Sequence, residues 1–231
     1  MDCSRYARTE RDNSGCCERP EQRWNGRPRI KLYGTSKSRA NRCLWALEEL
    51  GLDYEHIPVN FGEESHRPAY LAINPNGRVP ALDDNGVILW ESIAINLYLA
   101  DKYGTAPLCP HNPELRGKCY QWSLWAVNEI EPRVYTLMAH RVWKPPGQRD
   151  QTAVRRAIEE LIEPFRILND TLKGGSYLVG GAFSIADLNV ASISRALKLT
   201  HNLDLSQTPP VEDWLKRCLG RKAYQRVLAM K

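Results

Sequence analysis

Asn74-Pro75-Asn76-Gly77-Arg78-Val79-Pro80 is followed, beyond Asp84-Asn85-Gly86, by Glu91-Ser92. Asn-Pro-Asn-Gly marks a turn, and Val79-Pro-Ala-Leu82 reads as an extended piece. A proline after a β-branched residue at the edge of a small sheet is a place where a cis peptide bond exposes the preceding backbone amide and carbonyl. Such groups can pair with an extended peptide as an added strand would. Asp84-Asn-Gly86 is a hairpin signal, so Val87-Ile-Leu-Trp90 is expected as the returning strand. Ser92 then stands where a helix begins, and its hydroxyl with the free N–H groups of a helix start suits a carboxylate. Glu91 supplies the complementary charge for an ammonium.

Working outward, Ile30-Lys-Leu-Tyr33 reads as a short strand and Thr35-Ser-Lys-Ser38 as a polar turn with helix-capping side chains. Ala40, Cys43, Leu44, Leu47 and Leu50 recur at helical spacing until Gly51 ends the run. A second strand is expected over 54–61, a short irregular helical region over 63–73 and a helix over 92–103. The order β-α-β-α-β-β-α predicts a thioredoxin-like α/β domain with a mixed sheet over residues 29–105.

Residues 106–115 are proline-rich and read as a linker, and 116–231 as an all-helical bundle domain. Its clearest stripe is Val154, Ala157, Ile158, Leu161, Ile162, Phe165, Leu168 and Leu172, closed by Gly174-Gly175. Phe183-Ser184-Ile-Ala-Asp187-Leu188 is a capping box with Asp in the place of Glu, which predicts a structural role for Asp187.

The balance of 42% hydrophobic and 26% charged residues in 231 is that of a soluble globular protein. Residues 1–28 carry many charges and few aliphatics, so a disordered extension without a signal peptide's apolar core is expected there. No apolar run is long enough to cross a bilayer. Seven cysteines, an odd number without paired Cys-x-x-Cys spacing, predict reduced thiols, a cytoplasmic setting and no metal site. A net charge of +5 without a dense basic run argues against a nucleic-acid partner.

Leu32-Tyr-Gly, Arg42-Cys-Leu-Trp-Ala-Leu-Glu-Glu-Leu-Gly51, Asn74 to Pro80, and Glu91-Ser-Ile-Ala-Ile-Asn-Leu-Tyr-Leu-Ala100 together resemble bacterial-type cytosolic glutathione transferases. Phe183 to Leu188 is similar to that family's capping segment, so the resemblance runs through both halves. It implies glutathione as co-substrate, no metal, a small hydrophobic electrophile as second substrate, and a homodimer. Val79 and Pro80 would hold the cysteinyl backbone, Glu91 and Ser92 the γ-glutamyl group, and His66 and Arg78 the region of the glycine carboxylate.

Family members activate the thiol with a Tyr, Ser or Cys in the turn after the first strand. This turn offers Tyr33, Ser36 and Ser38 and no cysteine, which favours conjugation over mixed-disulfide chemistry. Ser36 stands first, with Ser38 and Tyr33 behind it, because a hydroxyl between strand and helix can face the sulfur. The electrophile is expected against Tyr120, Trp122, Trp125, Val127 and Met138. The same scaffold also leaves open a specialised isomerase, dehalogenase or reductase, or a non-catalytic glutathione-binding protein.

Overall fold

The computed structural model describes residues 30–105, 107–201 and 208–230. The expected extension 1–28 lies outside the described residues. Strands β1 (Ile30–Tyr33), β2 (Tyr54–Ile57), β3 (Ala81–Asp84) and β4 (Val87–Trp90) form one sheet in the order β2-β1-β3-β4. β1 runs parallel to β2 and antiparallel to β3, with Leu32 opposite Leu82, and β3 pairs antiparallel with β4. The parallel pair needs a crossover, which α1 (Ala40–Leu50) provides, whereas β3 and β4 need only a two-residue turn. In that turn Asn85 (φ 54°) and Gly86 (φ 88°) are both left-handed, as a hairpin turn matched to strand twist requires.

Two expected elements come out differently. The second strand stops at Ile57 rather than residue 61, because Pro58 has no N–H to give a ladder. The 63–73 region divides into a single turn, Glu64–His66, and α2 (Pro68–Leu71). Pro68 forces Arg67 into extended backbone (φ −68°, ψ 142°), which interrupts the helix.

Every residue of α1 from Ala40 to Leu47 is buried, so this helix is covered on all sides. The sheet lies on one flank, and α3 (Ser92–Tyr103), α7 (Ile185–His201) and α9 (Lys222–Ala229) close the others. Gly51 ends α1 in the left-handed region at φ 63°, its N–H donating to the Leu47 carbonyl. The chain returns to α1 at α9, where Arg221 and Arg226 pair with Glu49 and Glu48 and the rings of Tyr224 and Trp45 lie 4.5 Å apart. One continuous hydrophobic core therefore runs through both halves, from Leu44 and Leu99 to Leu161 and Leu188.

The helical half opens with α4 (Pro113–Trp125), whose first turn is capped by Asn112 Oδ1 accepting from Glu114 and Leu115 N–H. A wide turn, Ala126–Ile130, leads into α5 (Glu131–Met138), and a second wide turn, Ala139–Trp143, follows it. Pro132 accounts for the first of these. Lacking an N–H, it leaves the Asn128 carbonyl without its helical donor, and Arg133 Nη1 donates to that carbonyl instead at 3.0 Å.

α6 (Gln151–Leu172) buries Val154, Ala157, Leu161, Phe165, Leu168 and Leu172 as its stripe predicts. Ile162 does not belong to that stripe. It follows Leu161 directly, is turned off the packed face and is 65% exposed. After α7 comes α8 (Pro209–Leu219). Asp187, in the first turn of α7, is fully buried and accepts from Leu178 N–H, Ser184 N–H, Ser184 Oγ and Trp214 Nε1 at 2.8–2.9 Å. The bond from Ser184 N–H is the side-chain half of a capping box, and the one from Trp214 ties α8 to it.

Candidate active site

The peptide bond Val79-Pro80 is cis. The carbonyl just before it, on Arg78, accepts from Tyr70 Oη at 2.7 Å and from Asn74 Nδ2 at 2.6 Å. Asn74 is buried and its Oδ1 accepts from Asn76 N–H, so the Asn-Pro-Asn-Gly turn holds itself in place. Gly77 (φ 59°) must be glycine for a second reason: a Cβ there would sit 2.7 Å from His66 Nε2. His66 Nδ1 lies 2.6 Å from the Gly62 carbonyl, an acceptor only, so Nδ1 carries the proton and Nε2 is left beside the turn. The side chains of His66 and Arg78 are exposed.

Glu91 has φ 70° and ψ 109°, a left-handed backbone that costs a non-glycine residue about 1–3 kcal/mol. Residues held in such backbone cluster at ligand-binding and catalytic positions, and the Glu91 side chain is exposed. Ser92, first in α3, is buried, and its Oγ accepts from Arg42 Nη1 at 3.3 Å while keeping its own proton to donate. Arg42 is buried in turn and donates through Nη2 to Glu131 Oε1 at 3.0 Å, and Arg39 Nε donates to the same oxygen at 2.8 Å. Burial alone would push the Glu131 carboxyl up, but Arg42 and Arg39 outweigh it and hold it below the ordinary carboxylate value.

The three candidate hydroxyls occupy different surroundings. Tyr33 packs edge-on against Tyr70, centroids 6.2 Å apart, in a small cluster with Val79 and Ala81. Desolvation first, then Asp83 and Glu55, raise its phenol above the usual value, so it stays protonated. Ser36 Oγ lies 3.5 Å from the Met230 carbonyl at the far end of the chain. Ser38 Oγ donates to the Thr35 carbonyl at 2.8 Å and accepts from Ala40 N–H at 3.1 Å, at the start of α1. Gly34 (φ 129°) locates it further: a Cβ there would meet Val79 Cβ at 3.2 Å and Ser38 Oγ at 3.6 Å. Ser38 and Val79 thus flank the same bare stretch of backbone.

Two compartments meet at the Arg39–Glu131 pair. One, of about 490 Å3, is lined by Arg78, Glu91, Ser92, Leu97, Leu124 and Val127 among others. The other, of about 170 Å3, has Ser38, Tyr135, Met138, Trp143 and Arg195 in its wall. Of the aromatic and apolar side chains expected against a second substrate, Met138 lines the smaller compartment and Val127 the larger. Tyr120 instead donates to Asp101 Oδ2 at 2.7 Å, and Trp122 and Trp125 stack edge-to-face and pack against the core. Sequence reasoning missed Arg39, Arg42, Glu131, Tyr135, Trp143 and Arg195. The available signal was Pro132, since a proline inside a helical pattern marks a local distortion.

A mixed thioredoxin-like sheet with a cis-proline turn, an acid-serine pair at a helix start and a following helical domain is the architecture of a glutathione transferase. Residues 28–101 match the glutathione S-transferase N-terminal domain and residues 126–222 the C-terminal domain. The chain belongs to the glutathione S-transferase family, whose members are transferase enzymes. It is 34% identical to glutathione S-transferase 1 of Zea mays over 87% of this chain and 96% of that one. It is 33% identical to glutathione S-transferase GstB of Escherichia coli K12, over 86% and 97%. Among solved structures it resembles the theta class glutathione S-transferase of Xanthomonas axonopodis pv. citri with glutathione bound. The TM-score is 0.80 at 32% identity, over 88% of this chain and 99% of that one. Among the described residues no cluster of His, Cys, Asp and Glu could hold a metal ion, and no helix is long and apolar enough to cross a membrane.

Proposed function

We propose that this enzyme ionises glutathione and adds its sulfur to a soft, mostly apolar electrophile. The observation that supports this reading is that Ser38 and the cis Val79-Pro80 edge flank Gly34, while Glu91 and Ser92 line the larger compartment, which meets that of Ser38 at the Arg39–Glu131 pair. Val79 offers its backbone to the cysteinyl residue. Glu91 faces the γ-glutamyl ammonium, and Ser92 Oγ with the first N–H groups of α3 faces its carboxylate. His66 and Arg78 stand toward the glycine end.

Ser38, rather than Ser36, is the hydroxyl assigned to the sulfur. Its neighbour Val79 and the start of α1 support this, because a donor and a helix N-terminus together favour an anion. The thiol proton leaves to water, and the Ser38 proton turns from the Thr35 carbonyl to the thiolate. The electrophile occupies the smaller compartment.

Replacing Glu91 with Gln removes one charge-assisted bond, about 1.5–3 kcal/mol, so glutathione affinity should fall about tenfold to a hundredfold. Isothermal titration reads this directly, and unchanged affinity would overturn the assignment of the ammonium to Glu91.

The reading includes a cytosolic homodimer. The homodimer is supported by apolar side chains at the larger compartment, where Leu124 is 55% exposed and lies with Leu97, Val127 and Pro132. Sedimentation velocity at micromolar concentration should give a dimer that Leu124→Asp splits, whereas a wild-type monomer would refute it.

A further inference from the structure

We infer that the electrophile is a single-ring aromatic acid, held by its ring on Tyr135 and Trp143 and by its anionic group on Lys37 and Arg195. This deepens the conjugation reading above and rests on it. The apolar side comes first. Tyr135 and Trp143 stack edge-to-face with centroids 5.2 Å apart, yet remain 54% and 56% exposed. Two large rings left half in water beside Met138 and Val134 form a platform suited to a flat partner. The cavity of about 170 Å3 suits one ring with substituents, since a cavity of about 150 Å3 holds benzene.

The charge is the unusual part. Four cations, Lys37, Arg39, Arg42 and Arg195, line this compartment against one carboxylate, Glu131, a formal excess of three positive charges. Arg39 and Arg42 share a single oxygen of Glu131. Arg195 is half-buried and donates through Nη1 to the neutral hydroxyl of Tyr224 at 3.1 Å. Among the described residues no carboxylate lies within ion-pair distance of Arg195 or Lys37. A glutathione thiolate at Ser38 offsets one charge of the three. A neutral electrophile would leave half-buried Arg195, beside the apolar wall, and Lys37 at the mouth without an anionic partner. A carboxylate or sulfonate on the ring answers them and is concentrated by the field of the cavity.

The reaction that fits is substitution on an activated aryl halide. The thiolate attacks the ring carbon bearing the halogen, the C–S bond forms, the C–halogen bond breaks, and halide leaves with the electron pair. The ring's anionic group takes no part and serves only to orient it.

The test compares 4-chloro-3,5-dinitrobenzoate with its methyl ester, each kcat/KM divided by the uncatalysed rate constant with glutathione. The wild type should favour the acid by about tenfold or more, as one charge-assisted bond provides. Lys37→Gln and Arg195→Gln should each bring that ratio toward unity. Lys37 is exposed, so its variant keeps the fold even where the Arg195 variant does not. A wild-type ratio at or below one, or a ratio unmoved by Lys37→Gln, would overturn the inference. Isothermal titration with the two pre-formed glutathione conjugates, acid and ester, needs no turnover. Tighter binding of the acid conjugate without turnover of either electrophile supports the anion site while refuting conjugation, and equal binding refutes the anion site alone.

Discussion

Asp187→Ala is expected to destabilise the protein by about 3–5 kcal/mol. The carboxylate is fully buried and accepts four hydrogen bonds. Alanine would strand the Leu178 and Ser184 N–H groups and the Trp214 indole N–H in the interior, and each unsatisfied donor costs about 1–3 kcal/mol. The loss would spread beyond one helix, because Asp187 joins the start of α7 to α8 and to the turn that carries Leu178. Urea unfolding should show the midpoint falling while the slope stays unchanged. Asp187→Asn keeps the volume and one acceptor oxygen, so it should lose less. A loss below about 1 kcal/mol for the alanine variant would show that the four bonds are not what holds this corner.

Ser38→Ala is expected to lower kcat about a hundredfold or more, the range found when one preorganised donor to a developing or bound anion is removed. The binding contacts proposed for Val79, Glu91 and Ser92 do not involve this hydroxyl, so KM for glutathione should change little. The acid limb of the kcat/KM profile should move to higher pH, since an unassisted thiol has a pKa of about 8.5 and yields less thiolate near neutrality. Ser38 also accepts from Ala40 N–H, so alanine should cost about 1 kcal/mol of stability, which a melting curve separates from the kinetic loss. Ser36→Ala should leave kcat nearly unchanged, because its hydroxyl is turned toward the Met230 carbonyl.

The order of elements was legible because each had a local cause. Asn85-Gly86 alone specifies the hairpin, Gly51 the end of α1, and Ser184 with Asp187 the start of α7. What sequence could not order was the turn after β1. Ser36 and Ser38 carry the same chemistry two positions apart, and which of them stands beside Val79 depends on the φ of Gly34 and on a contact with Met230, 194 residues away. The salt bridges of Arg39 and Arg42 with Glu131 were likewise out of reach. They join residues about ninety positions apart and follow the wide turn before α5, whose only trace in the sequence is Pro132. Local rules thus described the scaffold and the peptide cradle, while the groups around the reacting atoms depended on long-range closure.

The thiol pKa of bound glutathione, followed by its ultraviolet thiolate absorbance as pH is raised, reports whether Ser38 ionises the sulfur. It should lie well below that of free glutathione in the wild type and in Ser36→Ala, and return toward the free value in Ser38→Ala. A bound thiol that titrates like the free one, or a shift lost in Ser36→Ala and kept in Ser38→Ala, would contradict that role of Ser38.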